Sequence, residues 1–262
     1  MISICEQYAT DFDIAFNPKK SKLMCYNVKN PSIIQISLCN KPVEIVDNVQ
    51  YLGNYVGLDV CNRNFESIIQ EFWYKHNCMR GSFNMVDSST LCNLHSTYCM
   101  NVYGSELFNY NNNNVTKLYS AWRKSIRQVF NIDYRTHNFI VYGIAGNVEI
   151  KFHKKLAKFI FNMIHSENQF VSQILMHLFK TSSSMIAENY RLLSYRYSIS
   201  PVEWEKGVNC VIRKVRSPIS LSDQQIITIS VVKELISMRD DLNYNFASKA
   251  EIKQLLYEVC RN

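Results

Sequence analysis

The strongest constraint on the fold is the spacing of apolar residues, which changes near residue 60 from that of strands to that of helices. The stretch 115–130 shows the helical spacing most clearly. Its apolar residues recur every three or four positions: Val115, Leu118, Tyr119, Trp122, Ile126, Val129 and Phe130. Such a stripe predicts an amphipathic helix with one side against a core. Most of the chain beyond residue 60 should therefore be helical.

Similar spacing predicts further helices in the rest of this region. They are expected over residues 65–79, 91–102, 148–165, 168–180, 184–195, 201–213, 223–238 and 248–260. The run 109–114, rich in asparagine, is expected to be a polar loop that packs against nothing. Residues 143–146, Gly-Ile-Ala-Gly, are expected to interrupt the helical pattern. With only seven glycines and five prolines, the chain does not resemble an all-β protein rich in tight turns.

The first 60 residues have a different pattern. Residues 2–13 predict a short helix that Asn17-Pro18 ends, and strands are expected over 22–28, 33–38, 43–46 and 49–58. Turns are expected at 40–42 and 47–48. The predicted fold is α+β and mainly helical: a small N-terminal β-patch, then a multi-helix region and a helical extension.

Charge and cysteine content indicate the surroundings of the protein. The formal net charge of +7 favours a polyanionic partner, because lysine and arginine release counterions from phosphates. Nine cysteines, an odd number without a signal peptide before them, predict free thiols in a reducing compartment. No apolar run approaches the length that a bilayer requires. A soluble, intracellular protein without membrane association is expected.

Two motifs near the N-terminus carry a family resemblance. The first is Asn17, Pro18, Lys20, Ser21 and Lys22, and the second is Val49, Tyr51, Leu52 and Gly53. In this order and spacing they resemble the end of the palm domain in non-LTR (LINE-type) retrotransposon reverse transcriptases. The helix bearing Trp122, Arg123, Ile126 and Arg127, followed by Thr136-His137, is similar to the thumb segment of the same family. The resemblance covers roughly residues 1–165.

The resemblance implies three regions and an activity. Residues 1–60 would be the end of the palm, 61–147 a thumb-like region and 148–262 a helical C-terminal extension. The family carries out RNA-directed DNA synthesis with Mg²⁺ held by paired aspartates. Only fifteen residues precede Phe16, and no Tyr/Phe-x-Asp-Asp occurs. We therefore expect a fragment that is inactive by itself and holds no cofactor. The pair Asp240-Asp241 stands outside the family order and is expected to be a charged helix end.

Site residues near the N-terminus are implied by the same motifs. Lys20 matches the family lysine proposed to protonate the departing pyrophosphate, yet without a metal site it is expected to be a solvated lysine of a basic turn. The segment Tyr51-Leu52-Gly53 matches the element that contacts the primer backbone, with Gly53 permitting close approach. An ordinary strand end with packed Tyr51 and Leu52 is the equal alternative.

A nucleic-acid-binding surface is the main prediction for the helical region. Its candidate residues are the outward-facing cations Lys117, Lys124, Arg127, Lys151, Lys154, Lys155 and Lys158, with His153 inside the last cluster. They could follow the backbone of RNA or of an RNA–DNA duplex, as a thumb does, or could form an ordinary solvated face. Two further functions remain open: non-enzymatic nucleic-acid binding, and a protein-interaction remnant that associates with an intact polymerase copy.

The predicted helix 91–102 carries residue types that can bind a metal ion. Cys92, His95 and Cys99 have the residue types of zinc ligands and share one helical face. A structural zinc site needs a fourth ligand and usually a turn between ligand pairs. Two buried cysteines and a partly buried histidine are therefore the preferred interpretation, and no metal is expected.

Overall fold

The computed structural model describes residues 2–17, 19–25, 28, 30, 33–51, 54–57, 61–100, 102, 104–181, 184–216, 221–241 and 246–261. The chain divides into two compact units, Met1–Asn64 and Phe65–Asn262. It is mainly helical with a few short strands, which agrees with the predicted class. In the described ranges, no helix is both long enough and apolar enough to cross a membrane.

The first unit contains one helix and three strand pairs. Helix α1 is Ile2–Asp11, and the strands are β1 Lys22–Leu23, β2 Ser37–Leu38, β3 Lys41–Pro42, β4 Glu44–Ile45, β5 Asn48–Tyr51 and β6 Asn54–Gly57. β1 pairs with β4 in parallel, whereas β2–β3 and β5–β6 are antiparallel. The predicted strand 49–58 is thus wrong, because Tyr51 pairs with Asn54 in a hairpin.

A second correction concerns the predicted turn at residues 40–42. Cys39 and Asn40 both have positive φ, 52° and 60°, and connect β2 to β3. Two successive residues with positive φ suit a two-residue hairpin turn. Lys41 and Pro42 therefore belong to the returning strand, where they pair with Leu38 and Ser37. The turn lies one residue earlier than predicted.

In the described residues of the second unit, the regular elements are all helices. Its helices are α2 Cys61–Ser82, which begins before the division, α3 Ser88–Tyr98, α4 Asn113–Val129, α5 Asn138–Ala145, α6 Val148–Ile164, α7 Gln169–Thr181, α8 Met185–Arg196, α9 Pro201–Lys206, α10 Val208–Lys214, α11 Asp223–Asp241 and α12 Phe246–Arg261. A single 3-10 turn spans Ser105–Leu107. The predicted helices are therefore present, except that α3 ends at Tyr98 and not at residue 102, and three further local differences occur.

Two of these differences occur at glycines. Residues 138–145 form α5, which the sequence did not predict; Gly143 lies within it, and Gly146 ends it with φ +78°. The predicted single helix 201–213 is broken into α9 and α10 at Gly207, whose φ is +144°. A side chain at such a φ is strained, so glycine permits the change of direction.

The third difference is the asparagine-rich run, which is packed rather than free. The buried Asn189 amide donates to Phe108 O over 2.7 Å and accepts from Tyr110 N over 3.1 Å. Asn109 donates to Glu188, and Asn112 caps the start of α4. The expectation of an unpacked loop is wrong, because α8 supplies the hydrogen-bond partners.

The apolar core of the second unit has two parts, and α6 belongs to both. Val148 and Phe152 pack in the first cluster with residues of α2, α3, α4, α5, α11 and α12. Leu156 and Ile160 pack in the second cluster with residues of α8 and α10 and with Trp204 of α9. Core residues from both sides of position 147 therefore pack together. The boundary predicted between the thumb-like region 61–147 and the C-terminal extension 148–262 stays a prediction.

A buried guanidinium joins three helices of the first cluster. Arg239 on α11 is only 4% exposed and donates to Phe130 O over 2.6 Å and to Ser88 Oγ over 2.8 Å. Its charge is balanced by Asp240, which also accepts from Ser88 N over 2.7 Å. A buried charge is tolerated only when it is paired and hydrogen-bonded in this way. Asp240 is therefore structural, in keeping with its predicted place at a helix end.

We predict that Gly207→Ala destabilises the protein while Gly81→Ala does not. A side chain at the backbone conformation of Gly207 costs about 1–3 kcal/mol. Gly81 lies near the end of α2 with open space around its Cα, so alanine there should be neutral or stabilise by up to about 1 kcal/mol. Urea unfolding of both variants measures the difference. Equal stability of the two variants would contradict the assigned break between α9 and α10.

Candidate nucleic-acid interface

The lysine-rich side of α6 is fixed by what its other side buries. Asn147 caps the helix by accepting from Glu149 N over 3.0 Å. Phe152, Leu156 and Ile160 follow at intervals of four and are buried. Lysines 151, 154 and 158, at intervals of three and four, are exposed. These three positions share the solvent side of the helix.

The three lysines of this row differ in how they are engaged. Lys154 and Lys158 have no hydrogen bond or ion pair within the described part of the chain. Lys151 donates to Ser96 Oγ of α3 over 2.8 Å, which leaves its charge unbalanced because the hydroxyl is neutral. The row therefore presents three positive charges to solvent. We call these three residues the α6 lysine row.

Lys155 is engaged differently from the α6 lysine row. Its Nζ contacts Glu106 over 3.1 Å and donates to Ser105 Oγ and Val102 O. The carboxylate offsets its charge, and the contacts join α6 to the 3-10 turn. Although exposed, as predicted, this lysine serves the fold and is left out of the surface proposed below.

His153 is wrongly placed by the sequence prediction. It is 2% exposed, and its Nδ1 lies 2.6 Å from the Tyr197 hydroxyl oxygen. Burial lowers the pKa of this imidazole to about 3, so it is neutral at physiological pH. The residue belongs to the interior between α6 and the end of α8. It adds no charge to the lysine cluster around it.

A second basic area lies on α4. Lys117 and Lys124 are exposed, and each lacks an ion pair within the described ranges. Together with Ile69 and the half-buried Trp73 of α2, they line a groove of about 350 Å³. An aromatic ring beside cations is a combination that single-stranded nucleic-acid sites use. The groove is therefore a secondary part of the candidate interface.

Arg127 does not face outward as predicted. Its side chain is half-buried and donates from Nε and Nη2 to Thr136 O over 3.2 and 2.6 Å. Nη2 also donates to Asn138 Oδ1 over 2.9 Å. Burial lowers the pKa of the guanidinium, although an arginine remains charged at neutral pH. Arg127 therefore holds the corner between α4 and α5.

This corner explains the thumb-like motif in structural terms. Trp122 and Ile126 are buried in the first core cluster. Thr136 is also buried, and its hydroxyl donates to Asp133 O over 2.6 Å. The spacing of these residues thus follows from packing and from the hydrogen bonds of Arg127. The motif by itself provides no exposed cation beyond the half-exposed Arg123, which donates to Tyr142 and Ser120.

The N-terminal motif residues are only partly described. Lys20 is exposed in a turn, where its N–H donates to Asn17 O over 3.0 Å, and Lys22 pairs with Glu44. Tyr51 is the last residue of β5, whereas Pro18, Leu52 and Gly53 lie outside the described residues. The primer-contact role of this segment therefore stays a prediction.

The Cys-His helix has the arrangement of a core rather than of a metal site. His95 is fully buried, and its Nε2 donates to Ser125 Oγ, whose own proton is used on Trp122 O. Cys99 is buried and Cys92 half-buried. Among the described side chains, no three His, Cys, Asp or Glu are placed to hold a metal ion. His95 is more deeply buried than its sequence position suggested.

These observations define a basic surface without identifying a family. No protein-family model, curated protein or solved structure matches the chain. The described geometry consists of the α6 lysine row and the α4 groove, which place unpaired cations where phosphates could reach them. It supplies electrostatic attraction for a phosphate backbone.

We predict that stability falls with acid because His95 and His153 are buried as neutral bases. Burial lowers both pKa values to about 3, so between pH 3 and 6.5 the unfolded state binds more protons than the folded state. Above about pH 6.5 the two histidines are mostly neutral in both states, so they no longer lower the stability of the fold. Going from pH 7.5 to 5.0 should cost about 2 kcal/mol per histidine.

Urea unfolding at several pH values measures this loss in the parent protein and in two variants. His153→Gln can keep a hydrogen bond to Tyr197 and should reduce the slope of stability against pH. His137→Gln, at an exposed position, is the control substitution. An identical slope in all three proteins would contradict the assigned burial of His153.

Proposed function

We propose that the chain represents the end of the palm, the thumb and the C-terminal extension of a non-LTR retrotransposon reverse transcriptase. We further propose that it binds the backbone of RNA or of an RNA–DNA duplex. The observation that carries the binding proposal is the α6 lysine row, in which Lys154 and Lys158 have no partner within the described residues. The family assignment rests on the sequence motifs.

The geometry of the row suits a phosphate backbone. Seven residues of helix separate Lys151 from Lys158, a distance of about 10 Å at 1.5 Å per residue. Phosphates follow one another at a rise of roughly 3.4 Å along each strand, so the row could face several of them. Lysine ammonium groups act as point charges on flexible stems. Binding of this kind is independent of base sequence and strongly dependent on salt.

The proposal does not include DNA synthesis by this chain. Synthesis needs carboxylates that hold Mg²⁺, and the printed sequence contains no Tyr/Phe-x-Asp-Asp. Lys20 would have no leaving group to protonate without that site. In this proposal Mg²⁺ and catalysis belong to the intact family, and this chain contributes only attachment to nucleic acid.

Helix α1 favours a second candidate function, association with an intact polymerase copy. Ile4, Tyr8 and Phe12 follow one another at intervals of four and are 72%, 56% and 63% exposed. The rings of Tyr8 and Phe12 lie 4.4 Å apart, and the interval of four places Ile4 on the same side. Such a face is typical of a protein contact. Association through it would be insensitive to the lysines of α6.

We predict that Lys154→Gln/Lys158→Gln weakens duplex binding by at least tenfold and lowers its salt dependence. Each lost phosphate contact should reduce the slope of log affinity against log salt by about 0.9, or roughly 2 for the pair. Fluorescence anisotropy with a labelled RNA–DNA duplex at several salt concentrations measures both quantities.

The matched control is Lys180→Gln/Lys206→Gln, which removes the same charge from exposed positions on α7 and α9. It should keep most of the affinity and the slope of the parent protein. Equal losses of affinity in both variants would mean that the effect comes from net charge and not from the positions of Lys154 and Lys158. Absence of binding by the folded parent protein would reject the proposal.

A further inference from the structure

The α4 groove differs from the α6 lysine row because an aromatic side chain lies beside its cations. Trp73 and Ile69 of α2 line one side, and Lys117, Ser120 and Lys124 of α4 line the other. Attachment of a duplex backbone, as proposed above, needs cations and makes no use of an aromatic ring. The charge and shape of the groove therefore decide which other ligand it suits.

The groove is positively charged because α4 carries no acidic residue. Its 17 positions include four lysines and arginines and no aspartate or glutamate. Lys117 and Lys124 have no ion pair within the described ranges. Arg123 donates from Nη2 to Ser120 Oγ over 2.8 Å, which places a third positive charge next to the lining. The groove should therefore attract an anion.

The acidic residues of α2 do not cancel this charge. Glu71 is paired with Lys75 over 2.7 Å, so its charge is balanced. Glu66 is exposed, lies outside the lining and stands three residues before Ile69. Among the described residues of the two helices, three cations thus act on the groove against one unpaired carboxylate.

The spacing of the lysines leaves room for a flat group between them. Lys117 and Lys124 are seven residues apart, so they share one side of α4 and are separated by about 10 Å along its axis. The short side chains of Ser120 and Ala121 lie between them in the lining. A planar group could enter at this point while anionic groups on either side of it reach the two ammonium groups.

Trp73 offers a fixed aromatic surface to such a group. Phe72 and His76 contact the indole edge-on, each with its ring centroid 5.5 Å away. The indole is half-buried, so its orientation is held while part of it stays accessible. The groove volume of about 350 Å³ is near the lower end of small-molecule sites, roughly 300–1,000 Å³, which suits one base. Bases inside a duplex are already stacked on their neighbours, so only an unpaired base can stack here.

We propose that the α4 groove binds an unpaired segment of nucleic acid, with one base stacked on Trp73 and the flanking phosphates on Lys117 and Lys124. This inference rests on the proposed function for the chemical class of the partner. It adds that the chain has a second site with a preference for single strands, distinct from the α6 lysine row that holds a duplex.

Trp73 provides a direct readout because the other two tryptophans of the chain are inaccessible. Trp122 and Trp204 are only 3% and 2% exposed, so a bound base can reach Trp73 alone. Purified full chain is titrated with a short oligothymidylate, an abasic oligonucleotide of the same length, an oligoglutamate peptide and an RNA–DNA duplex. Indole fluorescence and the anisotropy of the labelled ligand are recorded.

The proposal expects oligothymidylate to quench the indole fluorescence and to bind at least about fivefold more tightly than the abasic strand. Trp73→Leu should lose this preference, whereas Trp73→Phe should keep most of it because a ring remains. Lys117→Gln/Lys124→Gln should weaken binding of oligothymidylate at least tenfold. Lys180→Gln/Lys206→Gln, with the same change of charge, should keep most of the affinity.

The duplex arm separates failure of this inference from failure of the proposed function. Duplex binding without quenching by oligothymidylate would reject the groove alone, whereas binding of oligothymidylate without duplex binding would reject the α6 lysine row and support the groove. Equal affinity for the abasic strand and oligothymidylate would overturn the stacking role of Trp73. Binding of oligoglutamate as tight as that of oligothymidylate would assign the groove to an acidic protein partner and overturn the proposal.

Discussion

The position of α6 between two apolar clusters is the constraint on which the second unit depends. Phe152 faces one cluster, and Leu156 and Ile160 face the other. Burial of side chains such as these contributes roughly 1.5–3 kcal/mol each. A solvated lysine contributes little, so rotation of the helix would lose far more than it gained. The orientation of the α6 lysine row therefore follows from the packing of the opposite side.

Buried polar contacts fix how α3, α4 and α11 are placed against one another. Arg239 holds the start of α3 and the end of α4 against α11. The Arg239 guanidinium and the Asp240 carboxylate satisfy each other and both bind Ser88. Lys155 and Arg127 are likewise bound to partners within the fold, so neither belongs to the basic surface. Exposed charge is left where no acidic or carbonyl partner is near.

Periodicity predicted most helices of the second unit, since burial of one side leaves a repeating pattern along the chain. It located the lysines of α6 but could not show which are paired. Glu106 is 49 positions from Lys155, and Asn189 is 79 positions from Tyr110. Such contacts have no local signal. The break at Gly207 was likewise missed, although glycine within a helical pattern is a possible sign of it.

The central claim is that α6 directs Lys154 and Lys158 toward a phosphate backbone while Lys155 serves the fold. Acetylation of lysines by a water-soluble succinimidyl ester, with and without an RNA–DNA duplex and followed by peptide mass spectrometry, tests it most directly. We expect Lys154 and Lys158 to react rapidly and to be protected by the duplex, and Lys155 to react slowly in both conditions. Reaction of Lys155 as fast as Lys154, or no protection by the duplex, would contradict the account.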